Sequence, residues 1–291
     1  MNDIPKHKIS LPFQLIIGLS YFFLLFFTTL MNEENSSSFD FSDSTLIMAM
    51  KVTQVVVVTL VFILPVNGFA FLFRAEKTAF LNLKPMSPIS WITALTICIL
   101  ALPFVGYLQD WNLRMDLPEQ WSNLESWMKE KEKTAEVITN SFFVDKSISA
   151  FLVNLFVVAF MAALSEELFF RGLLQKLFTD NKVNPHVAIW ICAILFSAIH
   201  VQFYGFLARM VLGAILGYLY WYSGSLWTSI LAHFMNNAFA VTLVHFANVD
   251  LSATDSGLPT ESLGIAGALI SLAIVTFQIY YLRQKSYNPK L

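Results

Sequence analysis

From Ile148 to Leu174 the chain is almost wholly apolar and long enough to cross a bilayer, yet inside this run sit Glu166, Glu167 and Arg171. A charge at membrane depth costs about 2.5–3.5 kcal/mol on insertion scales, so charges this close together must be paired, hydrated or functional. At helical spacing Glu167 and Arg171 are i,i+4 neighbours and can pair. Glu166 lies about 100° further round the helix and has no such partner in its own segment. One carboxylate is held and one is available. A helix leaving the membrane through charged interfacial residues would look the same locally, and what weighs against it lies further along the chain.

The lipid setting is fixed by composition. Of 291 residues, 56% are hydrophobic and only 13% charged, against about 25% charged in soluble domains. A net charge of −2 lacks the basic footprint that nucleic-acid binding requires. Cys98 and Cys192 both fall in apolar runs, which speaks against a disulfide framework and against a zinc–thiolate site. Leu11 to Met31 is longer than the apolar core of a signal peptide and lacks a small-residue cleavage pattern, so it reads as a membrane span.

Spans of about 20 apolar residues give an all-α polytopic membrane protein with about eight transmembrane helices, at 11–31, 47–70, 88–108, 148–171, 186–203, 206–222, 226–246 and 262–282. The fourth is expected to continue to about Thr179, and short turns at Tyr204-Gly205 and Ser223-Gly224-Ser225 make segments five to seven antiparallel neighbours. Gly213 and Gly217 form a GxxxG that permits close helix approach. Lys6, Lys8, Arg74, Lys77, Lys84, Lys176, Lys182, Arg283, Lys285 and Lys290 all fall on one side if the N-terminus is cytoplasmic. The opposite side receives Asn32–Ser44 and Asn248–Glu261, which carry acids and no base. Both termini are therefore expected inside, in a bacterial cytoplasmic (inner) membrane. Trp111, Trp121 and Trp127 mark amphipathic pieces at the interface within 109–146. The whole of 1–291 reads as one membrane domain with no internal repeat.

Three more polar positions interrupt the late spans. His200 ends segment five, and His233 and Asn237 share one face of segment seven at i,i+4. A lone intramembrane histidine is usually a satisfied packing residue, but these recur together. Glu166 and His200 lie equally far before and after the turn at Val183, so in two antiparallel helices they reach similar depth. A carboxylate and an imidazole levelled inside a membrane are what activation of a water molecule needs. His233 falls roughly 10 Å into its helix, and only tilt would bring it level.

Glu166-Glu167-x-x-x-Arg171, then Phe196-x-x-x-His200, then His233-x-x-x-Asn237, on successive hydrophobic segments, resemble the CPBP family. That family comprises CAAX-prenyl proteases and bacteriocin-processing enzymes, formerly called Abi. The resemblance covers about 140–245 and includes the Ser223-Gly224-Ser225-Leu226-Trp227 turn. It implies an intramembrane endopeptidase of eight helices around a polar cavity, acting on membrane-associated peptide or protein substrates among membrane lipids. It further implies that Glu166 and His200 activate water, that His233 and Asn237 stabilise the oxyanion, and that Glu167 and Arg171 hold the geometry. No cofactor is expected. Zinc on Glu166, His200 and His233 is the alternative, although no His-Glu-x-x-His occurs. A reading from another class is a small transporter or an immunity-type binding protein, in which the same buried charges form a proton relay or peptide site.

Overall fold

The structure, a computed structural model, describes residues 10–31, 43–73, 80–249 and 264–286. Met1–Lys8, Arg74, Lys77, Lys290 and most of the two acidic connections named above lie outside these residues. The described residues form helices α1 (Leu11–Met31), α2 (Ser44–Phe73), α3 (Pro88–Leu113), α4 (Ser122–Ser141), α5 (Ile148–Asp180), α6 (Pro185–Ala198), α7 (Phe206–Ser223), α8 (Leu226–Ala247) and α9 (Gly264–Ser286), with no strand among them.

Helix ends follow local chemistry. Ser87, Ser147 and Asn184 cap α3, α5 and α6 by accepting from the backbone N–H of Ser90, Ala150 and His186, and Pro88 and Pro185 supply the preset φ of a first turn. Gly224, at φ 66°, ends α7 in the left-handed region and lets the chain reverse directly into α8. Two interior prolines break the backbone ladder, and each break is used. Pro65 cannot bond to the Val61 carbonyl, α2 widens to a π-helix over Thr59–Ile63, and the Tyr21 hydroxyl of α1 donates to that carbonyl. Beside Pro103 of α3, the Ser271 hydroxyl of α9 donates to the Leu100 carbonyl at 2.6 Å and accepts from the Phe104 N–H at 3.3 Å.

The expected count of eight spans is not reproduced in full by length and apolarity. Six helices among the described residues are long and apolar enough to cross a membrane: α1, α2, α3, α5, α8 and α9. Segment five does not run to 203. As α6 it has 14 residues, about 21 Å against a hydrocarbon core of about 30 Å. Segment six, α7, has 18 residues but carries Arg209 and a Tyr-Trp-rich end over 218–223, which lower its apolarity. The other boundaries agree closely, and α5 continues to Asp180 as expected. The outer surface is itself apolar: Phe71 is 78% and Phe277 65% exposed, as a lipid-facing surface requires.

Helix α5 is the hub. Phe169, Phe170, Leu174 and Leu177 are buried against Phe22 of α1, Val66 and Phe69 of α2, and Cys192 and Phe196 of α6. Contact with α7 is polar as well as close. The Arg171 guanidinium donates to the Gly213 carbonyl at 2.7 Å and the Gln175 amide to the Gly217 carbonyl at 3.1 Å. Two side chains one turn apart thus reach two backbone carbonyls one turn apart. Both glycines are closely packed: a Cβ on Gly213 would lie 3.1 Å from the Phe196 ring and 3.3 Å from the Ala193 backbone, and one on Gly217 2.9 Å from Ile189 and Gln175, so neighbours would have to shift.

This contact predicts a contrast between glycines. Gly213→Leu should lower thermal stability in detergent by about 1–3 kcal/mol or more through overpacking. Gly68→Ala, where nothing lies within 4 Å of the added carbon, should be neutral or stabilising. Equal unfolding temperatures for the two variants would show that the close approach of α6 to Gly213 of α7 does not matter to stability.

Candidate active site

Helix α5 delivers its charges from an unusual backbone. Leu155–Met161 and Leu168–Gln175 are π-helical, and the α-helical turn Ala162–Glu167 between them ends on the carboxylate pair. π-Turns recur at functional sites because they re-aim side chains within one helix.

Glu167 and Arg171 are fully buried, at 0% and 1% exposure. Glu167 Oε1 accepts from Arg171 Nη1 at 2.6 Å and from His233 Nδ1 at 2.9 Å. Arg171 completes its coordination on the Gly213 carbonyl and over the face of Phe196, 4.9 Å from the ring centroid. The expected Glu167–Arg171 pair is present, and it also orients His233 from α8. Because Nδ1 donates to Glu167, Nε2 is the ring atom turned to Glu166, whose Oε2 lies 3.8 Å away. The tilt that the sequence left open is therefore supplied. Glu166 makes no hydrogen bond to another described residue.

Glu166, His200, His233 and Asn237 all line one cavity of about 520 Å³. His200 stands in the α6–α7 connection, just past Ala198, and its Nδ1 donates to the Phe196 carbonyl at 2.8 Å. A carbonyl can only accept, so this bond fixes the tautomer and leaves Nε2 as the free ring nitrogen. Asn237 is only loosely engaged: its amide reaches the Val158 carbonyl at 3.4 Å, and its oxygen accepts from Asn236 at 3.3 Å. The six residues singled out by their motifs thus fall into a cavity-facing set of four and a buried pair behind it.

The connection that carries His200 is pinned from several sides. Asn112 of α3 donates to the Phe203 carbonyl at 3.1 Å and accepts from the Leu207 N–H at 2.9 Å. From α4, Glu132 accepts from the Tyr204 N–H at 3.3 Å and Trp127 packs on Phe203 at 5.3 Å. Sequence reasoning missed Asn112, Glu132, Gln175 and Arg209, which also lines the cavity. Gln175 had a signal, since it follows Arg171 by one turn opposite a GxxxG. Asn112 and Glu132 had none, because polar residues near an interface are ordinary.

Residues 148–239 match the family model of Rce1-like proteins, type II CAAX prenyl endopeptidases. This stretch is Rce1-like. It spans α5, α6, α7 and most of α8, and so contains all six motif residues. YpbD of Bacillus subtilis (strain 168), an uncharacterized protein, is 26% identical over 116 residues, which make up 38% of this chain and 54% of that protein. The match thus spans about half of that relative's length. No solved structure matches. The spanning helices make the chain an integral membrane protein, and its stretch 148–239 is similar to type II CAAX prenyl endopeptidases.

Among the described residues, no three His, Cys, Asp or Glu side chains are grouped to hold a metal ion. His233 already spends Nδ1 on Glu167. Glu166, His200 and His233 share a cavity wall but are not arranged as a ligand set. Both cysteines are buried free thiols, Cys98 donating to the Ala232 carbonyl at 3.2 Å.

Removing one partner of a buried ion pair costs about 3–5 kcal/mol, because it strands the other charge. Arg171→Met should therefore destabilise the protein by that amount. The double variant Glu167→Gln/Arg171→Met should recover much of the loss, since neither charge remains. Chemical unfolding in detergent measures both, and additive losses would show that the two residues act independently.

Proposed function

We propose that this chain is an intramembrane endopeptidase of glutamate type, hydrolysing peptide bonds of membrane-associated peptides or proteins. The observation that carries the proposal is the unbonded Glu166 carboxylate, which faces a cavity shared with His200, His233 and Asn237. A proton relay needs titratable groups, but it has no use for an amide one turn from a histidine on the same wall.

In this reading a water beside Glu166 loses a proton to the carboxylate, assisted by His200 through Nε2, and its oxygen forms a bond to the scissile carbonyl carbon. The carbonyl oxygen takes up negative charge. Asn237 donates its amide N–H to that oxygen, and His233, in its protonated form, donates Nε2–H. The C–N bond then breaks, and the proton held by Glu166 passes to the leaving amine nitrogen. Arg171 and Glu167 do not touch the substrate; they fix the ring of His233. The ungrouped donor set supports a mechanism that uses the protein's own acids and bases without a metal.

Orientation follows from which loops share an end of the bundle. The Ser225 hydroxyl donates to the Lys84 carbonyl at 2.6 Å, Ser87 meets Ser286 at 3.4 Å, and Asn181 donates to the Leu11 carbonyl at 3.2 Å. Lys84, Lys182 and Lys285 therefore lie at one end, which supports a cytoplasmic placement for it. The cavity is lined instead by the far end of α3 and by α4, so it opens toward the opposite face.

Glu166→Gln keeps size and hydrogen bonding but removes the base, and should abolish cleavage in proteoliposomes without loss of folding. In the same assay Asn237→Ala should lower kcat by about 10²–10³-fold with a smaller effect on KM, and exhaustive chelation should leave the wild-type rate intact. Near-normal cleavage by Glu166→Gln would overturn the assignment of the base. Loss of activity on chelation, restored by zinc, would overturn the metal-free mechanism.

Cysteine labelling tests the orientation, because both native thiols are buried. With a membrane-impermeant maleimide on intact cells, Lys133→Cys on α4 should react and Lys182→Cys should react only after lysis. The reverse pattern would invert the topology.

A further inference from the structure

We propose that Arg209 is a substrate-carboxylate anchor: a binding subsite within the cavity that takes the carboxylate of a peptide, whether its C-terminal group or an Asp or Glu side chain. The inference rests on the endopeptidase reading and specifies which substrates that site accepts.

Two arginines reach the region of the glutamate pair, and they are provided for very differently. Arg171 has a carboxylate at 2.6 Å, a carbonyl at 2.7 Å and an aromatic face. Arg209 lines the same cavity as Glu166 and His200, but among the described residues no carboxylate lies within ion-pair distance of it. Its terminal nitrogens donate to the side-chain oxygen and the carbonyl of Gln202, the former at 3.3 Å. A guanidinium carries five N–H donors, so three are left without a protein acceptor, and the buried Nε is one of them.

The position is nevertheless built. Arg209 lies against Gly205, where a Cβ would stand 3.0 Å from Cζ, and the missing side chain makes the recess for the guanidinium. Gly205 and Gln202 both belong to the connection that carries His200, so the cation is held relative to the reacting groups. The nearby acid is otherwise engaged. Glu132 accepts from the Tyr204 N–H, and burial pushes its carboxyl above the usual range, which Arg209 only partly opposes.

A cation inside a membrane protein with donors unspent is costly unless something completes it. The planar fork of a guanidinium matches a carboxylate in two parallel hydrogen bonds, and every unmodified peptide carries a carboxylate at its C-terminus.

The experiment uses the full chain in phosphatidylcholine proteoliposomes and a hydrophobic peptide library in four arms. Peptides carry a free or amidated C-terminus, with or without one internal acid, and cleavage is read by mass spectrometry. Wild type should prefer carboxylate-bearing peptides by about 10-fold or more in kcat/KM, the worth of a charge-assisted hydrogen bond. Arg209→Gln should collapse that preference toward one, mainly through KM, and Arg209→Lys, which keeps the charge but loses the fork, should retain part of it. The free-acid and internal-acid arms separate the two sources of the carboxylate. Equal cleavage of all arms by wild type, or a preference that survives Arg209→Gln, overturns the anchor. If wild type cleaves nothing, the endopeptidase reading fails, and capture on Glu166→Gln still decides the anchor. Acid peptides should then be retained over amides, and Glu166→Gln/Arg209→Gln should lose that selectivity; equal capture refutes it.

Discussion

A buried arginine must be completed on every side, and Arg171 dictates most of what surrounds it. Its charge calls for Glu167, its second terminal nitrogen for a bare backbone carbonyl, and its flat face for an aromatic ring. At that carbonyl Gly213 has no side chain, and a Cβ there would meet Phe196 and Ala193 of α6. One guanidinium thus touches both α7, at Gly213, and α6, at Phe196. Such a pair contributes little net stability compared with apolar residues of the same volume. Its contribution is direction: Glu167, once held, has a free lone pair that orients His233.

Around this rigid centre the reacting side of the cavity is assembled from weaker pieces. His200 stands on a connection between two helices, and Asn112, Glu132 and Trp127 hold that connection from α3 and α4. An interfacial helix that spans nothing therefore reaches a candidate reacting group through one loop. Asn237, by contrast, is left with long hydrogen bonds, as befits a donor whose proper acceptor arises only when charge develops on a substrate.

How much of this was legible in the sequence depended on the range of the interaction. Glu167 with Arg171 is an i,i+4 pair, readable from spacing alone, and the apolar runs located every spanning helix. Segments five and six read as full-length spans because apolar runs do not record where a helix stops. Ile199 and His200 continue the apolar pattern, but the backbone has already turned out of α6. The contact of His233 with Glu167 joins helices far apart in sequence, so its depth could not be read from rise per residue. Arg209 drew no reading from the sequence, since nothing local reveals that Gly205 makes room for it.

The two π-helical stretches of α5 carry a consequence for how the helix can vary in length. A π-turn takes about one more residue than an α-turn, which offsets everything beyond it by roughly 100°. The turn bearing Glu166 and Glu167 is thus phased independently of the helix on either side. Ahead of it, Asn154 can point its amide at the Phe142 carbonyl that ends α4. Behind it, Gln175 can face Gly217, and neither has to share a helical face with the carboxylates. Deleting one residue from Leu155–Met161 and closing that stretch to ordinary α-helix would keep Asn154 and the glutamate pair in their present phase, because the turn itself gives up the extra residue. Closing it with the residue retained would instead turn the entrance of α5 away from α4, so the helix has slack for the loss of one residue where a π-turn stands ready to supply it.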